Sequence, residues 1–332
     1  MQTQKSGFYE VYEHRIDLRS ILEELSKKEL ESLCRRHGIR GYSHWNKNDM
    51  IGHISEYILS LPVIYNYFIC MSDEEIEYLR MAADCGGIID EAEPEAFSYM
   101  MLGGYAGFTK DLEFGVPFEV LERFLSFDDE VFEQKRRRTC LIGNYCHVAN
   151  YLYGVCPPMK VVKMFNQYER KKTDWREVIG VYDTIVKYRC DFVYIDCYFV
   201  DTAFQKNYEE LLAIQENMPY YMPSREALEE WFQFGFSVDT EYILELYKYM
   251  TEQLWMDKDT AADVCFMLEN TVHIGCTVSR VLGELQRLGI RCRTRRQDRE
   301  FKALLGSLIN NTRMVIFRGF TPLEVARMKG IT

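Results

Sequence analysis

The sequence has no C-x2-C pair, no H-E-x-x-H, no G-x-S-x-G and no G-x-x-x-x-G-K-[ST]. Zinc ribbons, zincin proteases, α/β-hydrolase nucleophile elbows and phosphate-binding P-loops are therefore without their sequence marks. Only 8 of the 332 residues are proline and 20 are glycine, which excludes collagen-like and low-complexity classes. The longest apolar stretch, Leu61 to Met71, is interrupted by Pro62 and Asn66 and is too short to span a bilayer. No apolar run follows Met1-Gln2-Thr3-Gln4-Lys5, so no signal peptide and no membrane partner are expected. Positive charge is in deficit, with 40 Lys+Arg against 51 Asp+Glu and a net charge of −11. That balance argues against a protein that coats nucleic acid or anionic membrane over its whole surface, and it leaves room for one basic face.

What is present is core material. Hydrophobic residues make up 47% of the chain and aromatics 14%, so wholesale disorder is excluded. At about 150 residues per domain, the length suggests roughly two domains. The 11 cysteines are an odd number spread from Cys34 to Cys292, unlike the dense framework of a short secreted scaffold. The expectation is a cytoplasmic protein with free thiols. Cys140, Cys146, His147 and Cys156, and separately Cys190 and Cys197, have spacings that match no common metal site. No metal and no cofactor are expected.

The N-terminal region is the most informative. Leu18, Ile21, Leu22 and Leu25 recur at helical spacing. Ser26 and Glu29 form a capping box, Leu30, Leu33 and Cys34 make an apolar face, and Gly38 ends the helix. An extended connection runs through Gly41-Tyr42-Ser43-His44-Trp45. Asn46 caps a second helix, with Asp49 in its first turn and Met50, Ile51, Ile54, Ile58 and Leu59 on its apolar face. Pro62 marks its stop.

This helix–extended–helix pattern resembles the Rho termination factor N-terminal and SAP-like modules. The resemblance rests on Leu25-Ser26-Lys27-Lys28-Glu29-Leu30, Cys34-Arg35-Arg36-His37-Gly38-Ile39, Gly41-Tyr42-Ser43 and Lys47-Asn48-Asp49-Met50-Ile51. Such modules often bind DNA or RNA, and some serve only as docking elements. The basic residue usual before the second helix is present as Lys47. Trp45 stands where the family often has a basic or aliphatic residue. In the second half, Tyr198-Phe199-Val200, Tyr220-Tyr221-Met222-Pro223-Ser224, Asn310-Asn311-Thr312-Arg313 and Gly319-Phe320-Thr321-Pro322 resemble a group of uncharacterised, largely helical bacterial proteins. Some of these carry a zinc tail like that of the SecA translocation ATPase. No cysteine follows Cys292 here, so neither tail nor metal is carried over.

Between and beyond these segments the pattern is mostly helical. Ser72-Asp73-Glu74-Glu75 opens a helix, and Gly86-Gly87 with Glu91-Ala92-Glu93-Pro94 breaks it. Gly103-Gly104-Tyr105-Ala106-Gly107 lacks the order of a dinucleotide loop and reads as a hairpin or loop between helices. Helices are expected over 117–125, 128–141, 144–153, 159–170 and 175–188. Residues 190–200, rich in β-branched and aromatic side chains, predict a small hairpin around Ile195-Asp196. Ser224 starts a helix, and from 239 onward the chain is helical with Gly275, Gly283 and Gly289 as punctuation. No second copy appears at a fixed period, so a solenoid is not supported. The expected fold is mainly α. It places a helix–extended–helix module at 1–62 and a larger helical body with one small β-hairpin at 63–332, with a further division open near 190–223.

Three stretches are basic. Within 26–60, Lys27, Lys28, Arg35, Arg36, Arg40 and Lys47 outnumber Glu29, Glu31, Asp49 and Glu56, a net of +2 on a chain whose remainder carries −13. Arg35, Arg36, Arg40 and Lys47 suit phosphate oxygens, and Tyr42 or Trp45 suits stacking on a base. The bland alternative is a solvated helix face with Trp45 in the module's core. Lys135-Arg136-Arg137-Arg138 reads as the end of a helix, where cations complement the dipole. Arg287, Arg291, Arg293, Arg295, Arg296, Arg299 and Lys302 face only Asp298 and Glu300. Arg291, Arg293, Arg295, Arg296 and Arg299 are either a second phosphate-contacting surface or are paired with carboxylates, internally with the acidic segment 209–245 or between molecules, and pairing is favoured. His14, His37, His44, His53, His147 and His273 complete no catalytic template, and no catalytic residue is assigned. Two functions stand. One is a non-enzymatic nucleic-acid-binding (DNA or RNA) or regulatory protein working through the basic N-terminal module. The other is a protein-interaction adaptor using the acidic body and Trp231, Phe232, Phe234 and Phe236.

Overall fold

The computed structural model describes residues 15–89, 94–235, 241–275, 278–290 and 292–330, without the side chains of Phe234 and Val278. The described residues are mainly helical, with two small sheets. The chain divides into two compact units, residues 1–143 with 180–190 and residues 144–179 with 191–332.

The first unit opens with α1 (Leu18–Glu24), α2 (Lys27–His37) and α3 (Lys47–Ile58). Local chemistry places their ends. Ser26 accepts from the Glu29 amide while the Glu29 carboxylate accepts from the Ser26 amide, the reciprocal capping box read from the sequence. Gly38, at φ 72°, closes α2 in the left-handed region that other residues resist. Asn46 caps α3 by accepting from the Asp49 amide. The apolar faces close on one another, with Ile21, Leu22, Leu30, Cys34, Met50, Ile51, Ile54 and Ile58 all buried. Pro62 does not end a helix. It sits in the first turn of α4 (Leu61–Phe68), where its missing N–H has no intrahelical partner to lose.

Beyond α4, the described part of this unit adds α5 (Asp73–Asp84), α6 (Ser98–Gly103) and α7 (Phe118–Leu125). The glycine-rich stretch after α6 leads into a two-stranded antiparallel ribbon, β1 (Gly107–Phe108) with β2 (Phe114–Gly115). Helix α8 (Glu130–Tyr153) runs unbroken where two short helices are expected; Gly143 lies in its interior, and the unit boundary falls beside it.

The second unit contains α9 (Pro158–Tyr168) and, after α10 (Trp175–Ile185) crosses the other boundary, a three-stranded sheet. Its strands are β3 (Val155–Cys156), β4 (Phe192–Ile195) and β5 (Tyr198–Asp201), in the order β3-β5-β4. The expected hairpin is β4–β5. Asp196 and Cys197 both have positive φ, 48° and 69°, as a two-residue primed turn demands. The sequence pattern did not disclose that β3 extends it.

Then follow α11 (Tyr208–Ile214), α12 (Arg225–Phe234), α13 (Glu241–Glu252), α14 (Lys258–His273), α15 (Val278–Arg287), α16 (Arg295–Asn311) and α17 (Pro322–Met328). One apolar cluster joins α13 to α16 through Leu246, Met250, Leu268, Val281, Leu285, Phe301 and Leu305. Gly275 and Gly289 adopt positive φ as chain breaks, whereas Gly283 lies inside α15. No helix among the described residues is long and apolar enough to cross a membrane.

Candidate nucleic-acid interface

All six N-terminal site residues fall on the segment from the last turn of α2 to the first turn of α3. Arg35 and Arg40 are exposed and Arg36 is half-buried. Among the described residues, none of the three makes a side-chain hydrogen bond or an ion pair. Arg35 and Arg36 also sit where cations favour the negative end of the α2 dipole, so their position is stable in the absence of an anion. Tyr42 and Trp45 bracket a single 3-10 turn, in which the Trp45 amide donates to the Tyr42 carbonyl at 3.0 Å. Both are half-buried, and the Trp45 indole stacks on His53 of α3 with ring centroids 4.1 Å apart. Lys47 has a partner inside the fold: its ammonium donates to the Glu23 carbonyl at 2.5 Å, capping the end of α1.

Next to Arg36 lies a buried aromatic group that the sequence did not reveal. His37 is buried, and its Nε2 donates to the Gly103 carbonyl at 2.9 Å. Rings of Tyr57, Tyr67, Tyr105 and Tyr188 surround it, with centroids 5.7–6.4 Å away. Burial drives its pKa down to about 4, so the imidazole is neutral and adds no charge to the face. Tyr67 and Tyr99 donate reciprocally to each other's backbone carbonyls at 2.6 and 3.1 Å. This platform fixes the last turn of α2.

The run at 135–138 is not a helix end. It lies in the N-terminal half of α8, and Arg136 is completely buried. Its guanidinium donates to the Met71 carbonyl at 2.7 Å, to Asp73 at 2.5 Å and to Glu133 through two nitrogens at 2.9 and 3.1 Å. Glu133 also accepts from Arg80 and Arg137, and Arg80 grips Asp128 bidentately at 2.7 and 3.1 Å. Hydrogen bonds from Arg136 above all hold the Glu133 carboxyl at about 2. The run is a structural anchor.

The second basic surface divides differently. Arg291 lies outside the described residues. Arg293 precedes α16, Arg295 and Arg296 begin it, Arg299 follows one turn later, and all four are exposed. Arg296 pairs with Glu300 at 2.7 Å and Lys302 with Asp298 at 2.8 Å, both one turn apart on the same helix. The expected pairing with residues 209–245 is not found: among the described residues no ion pair joins the two segments. Intrahelical i,i+4 partners are already in place and cost no chain closure. Arg293, Arg295 and Arg299 make no ion pair with a described residue.

Burial pushes the Cys34 and Cys140 thiols up to about 11 and those of Cys70 and Cys156 up to about 12, away from the thiolate a nucleophile needs. His147 Nδ1 is 3.6 Å from an Asp191 oxygen, too far for a hydrogen bond. No group of three or more His, Cys, Asp or Glu among the described residues is placed to hold a metal ion. No family model, no curated protein and no solved structure matches the chain.

Proposed function

We propose that the chain is a non-enzymatic nucleic-acid-binding or regulatory protein that contacts phosphates through its N-terminal helix–extended–helix segment, a Rho-N- or SAP-like module. One observation carries the reading: Arg35 and Arg36 in the last turn of α2, and Arg40 just beyond its glycine cap, have no ion pair with a carboxylate among the described residues. Unpaired guanidiniums on a pre-ordered turn lose little entropy when they meet phosphate, and on a chain of net charge −11 an approaching anion is oriented toward them. Trp45, already stacked on one face by His53, offers a flat surface beside them.

Fluorescence anisotropy of the full chain with labelled duplex DNA, single-stranded DNA and RNA at two salt concentrations tests this. Combined replacement of Arg35, Arg36 and Arg40 by alanine should weaken binding and flatten its salt dependence, by roughly 0.7–0.9 in log–log slope for each phosphate no longer neutralised. Lys47 is left intact in that variant because it holds α1. Unchanged binding would remove the module from the reading.

An adaptor role is the second reading, favoured by a cavity of about 300 Å³ lined by residues of α13 and α14. Phe266 beside it is 63% exposed and Leu244 41%. A stoichiometric protein complex that survives nuclease treatment would support it over nucleic-acid binding.

A further inference from the structure

We infer that the start of α16 and the loop joining α13 to α14 form a second contact surface, one that takes a single strand of nucleic acid. The surface lies in the second compact unit and is independent of the N-terminal segment.

Trp255 is the first reason. Its side chain is 79% exposed, and its backbone sits at φ +58°, a conformation that bulky residues avoid. An indole held in water on a strained backbone stabilises nothing in the fold; strain of this kind is characteristic of binding sites. The loop is fastened to α16. The Gln297 side-chain amide donates to the Gln253 carbonyl at 3.0 Å, and the Tyr249 hydroxyl donates to the Gln297 carbonyl at 3.1 Å. Trp255 is two residues beyond Gln253, so its Cα lies within about 7 Å of that anchor.

Charge is the second reason. Arg295, Arg296 and Arg299 occupy the first turns of α16, where the helix dipole is positive and disfavours cations. Their placement opposes helix stability, and a bound anion would reverse the sign of that effect. The nearby carboxylates are mostly engaged: Glu300 with Arg296, Asp298 with Lys302, and Asp257 as the cap of α14, accepting from the Thr260 amide. Asp257 and Glu252, two and three residues from Trp255 in the chain, are both exposed. The Thr294–Gln297 capping box takes up the Thr294 and Gln297 amides, and the guanidiniums are the charged groups left for phosphate contact.

Shape is the third. A cavity of about 480 Å³, within the range of small-molecule sites, is lined by Arg293 and Arg295, by the Lys302–Asp298 pair, and by Leu285, Ile290 and Phe301. Cationic and apolar lining in one cavity matches a nucleotide, which carries both a phosphate and a flat apolar base. Single strands satisfy the indole and the arginines together, since their bases are free to stack. Duplex DNA hides those faces, and an acidic peptide would occupy the cations and leave the indole unused.

The test uses the full chain carrying Arg35→Ala, Arg36→Ala and Arg40→Ala, with a labelled oligothymidylate followed by anisotropy at two salt concentrations. Binding should persist in that background. Trp255→Ala should weaken it about tenfold, and Trp255→Phe should restore most of the loss. Arg293→Ala with Arg295→Ala should weaken it and flatten the salt dependence by about 0.7 for each phosphate no longer neutralised. All these side chains are exposed, so thermal melts should be unchanged. No binding left in the triple-alanine background overturns this inference and leaves the N-terminal reading intact. Indifference to Trp255→Ala, or competition by polyglutamate as strong as by oligothymidylate, overturns it as well, the latter in favour of an acidic protein partner. Undiminished binding in the background with full sensitivity to Trp255 supports this surface and removes the N-terminal one.

Discussion

Arg136 and Arg35 belong to basic runs on two helices of the same compact unit, yet Arg136 is wholly buried and Arg35 is exposed. The difference comes from what the fold brings to each. Around Arg136 it assembles Glu133, Asp73 and the Met71 carbonyl, the last two from more than sixty residues away in the chain. Next to Arg36 it packs a neutral His37 among tyrosines, and no carboxylate is paired with Arg35, Arg36 or Arg40 among the described residues. A buried guanidinium must have its counter-charges because desolvation is costly without them. An exposed guanidinium does without, and is then free for a ligand. A third run, at the start of α16, lies between the two: Arg296 and Lys302 are paired locally, while Arg293, Arg295 and Arg299 have no ion pair with a described residue.

The sharpest way to break this contrast is at Arg136. Arg136→Ala leaves Glu133 and the Met71 carbonyl without their buried donor and should cost about 3–5 kcal/mol, measured by urea unfolding. A loss below about 1 kcal/mol would show that the network is not an anchor.

Acid should act on the buried side of the contrast before the exposed side. His37 is held at about 4, below its ordinary value of 6.5, so the folded state binds fewer protons than the unfolded chain between those values. Stability should therefore fall as pH drops from about 6.5 to about 4, by about 3 kcal/mol in all. Glu133, held at about 2 instead of 4.5, adds a second loss of similar size as pH falls from about 4.5 toward 2. Urea midpoints followed against pH check both, and His37→Gln should abolish the first phase while leaving the second. A flat profile from pH 6.5 to 4 in the unsubstituted protein would contradict the buried neutral imidazole.

Lys47 sharpens the exposed side. Its bond to the Glu23 carbonyl is at the surface, so Lys47→Ala should lower stability by no more than about 1 kcal/mol in thermal melts. The smallest effect belongs to the arginines themselves. Arg35→Ala, Arg36→Ala and Arg40→Ala should each change stability by less than about 0.5 kcal/mol while their combination weakens nucleic-acid binding. A large drop in melting temperature for any of the three would mean that the exposed run is a second anchor.

Much of the fold was legible locally. Ser26, Asn46, Ser72 and Ser224 cap the helices they were read to cap, because an N-cap bond spans only two or three residues. Gly38 ends α2 for an equally local reason, and the β4–β5 hairpin was legible from the β-branched and aromatic run that forms its strands, although Cys197 is not a residue that favours the positive φ it adopts. Legibility failed where partners are distant. Pro62 opens α4 instead of closing α3, and α8 passes through Gly143, since packing along its length outweighs the glycine's propensity cost of about 1 kcal/mol. Of the candidate site, the cations and their helix end could be read, but the neutral His37 platform, the internal role of Lys47 and the exposure of Trp255 could not.

Periodicity, capping and composition within a few residues were enough to read the mainly helical class, the capped helix starts, the hairpin and the three basic runs. Burial of one run, pairing of another along its own helix, and the lack of an ion pair in the third among the described residues were settled by long-range packing. Those outcomes depend on carboxylates, carbonyls and rings delivered from far along the chain, and a charge carries no local mark of the partner it will meet.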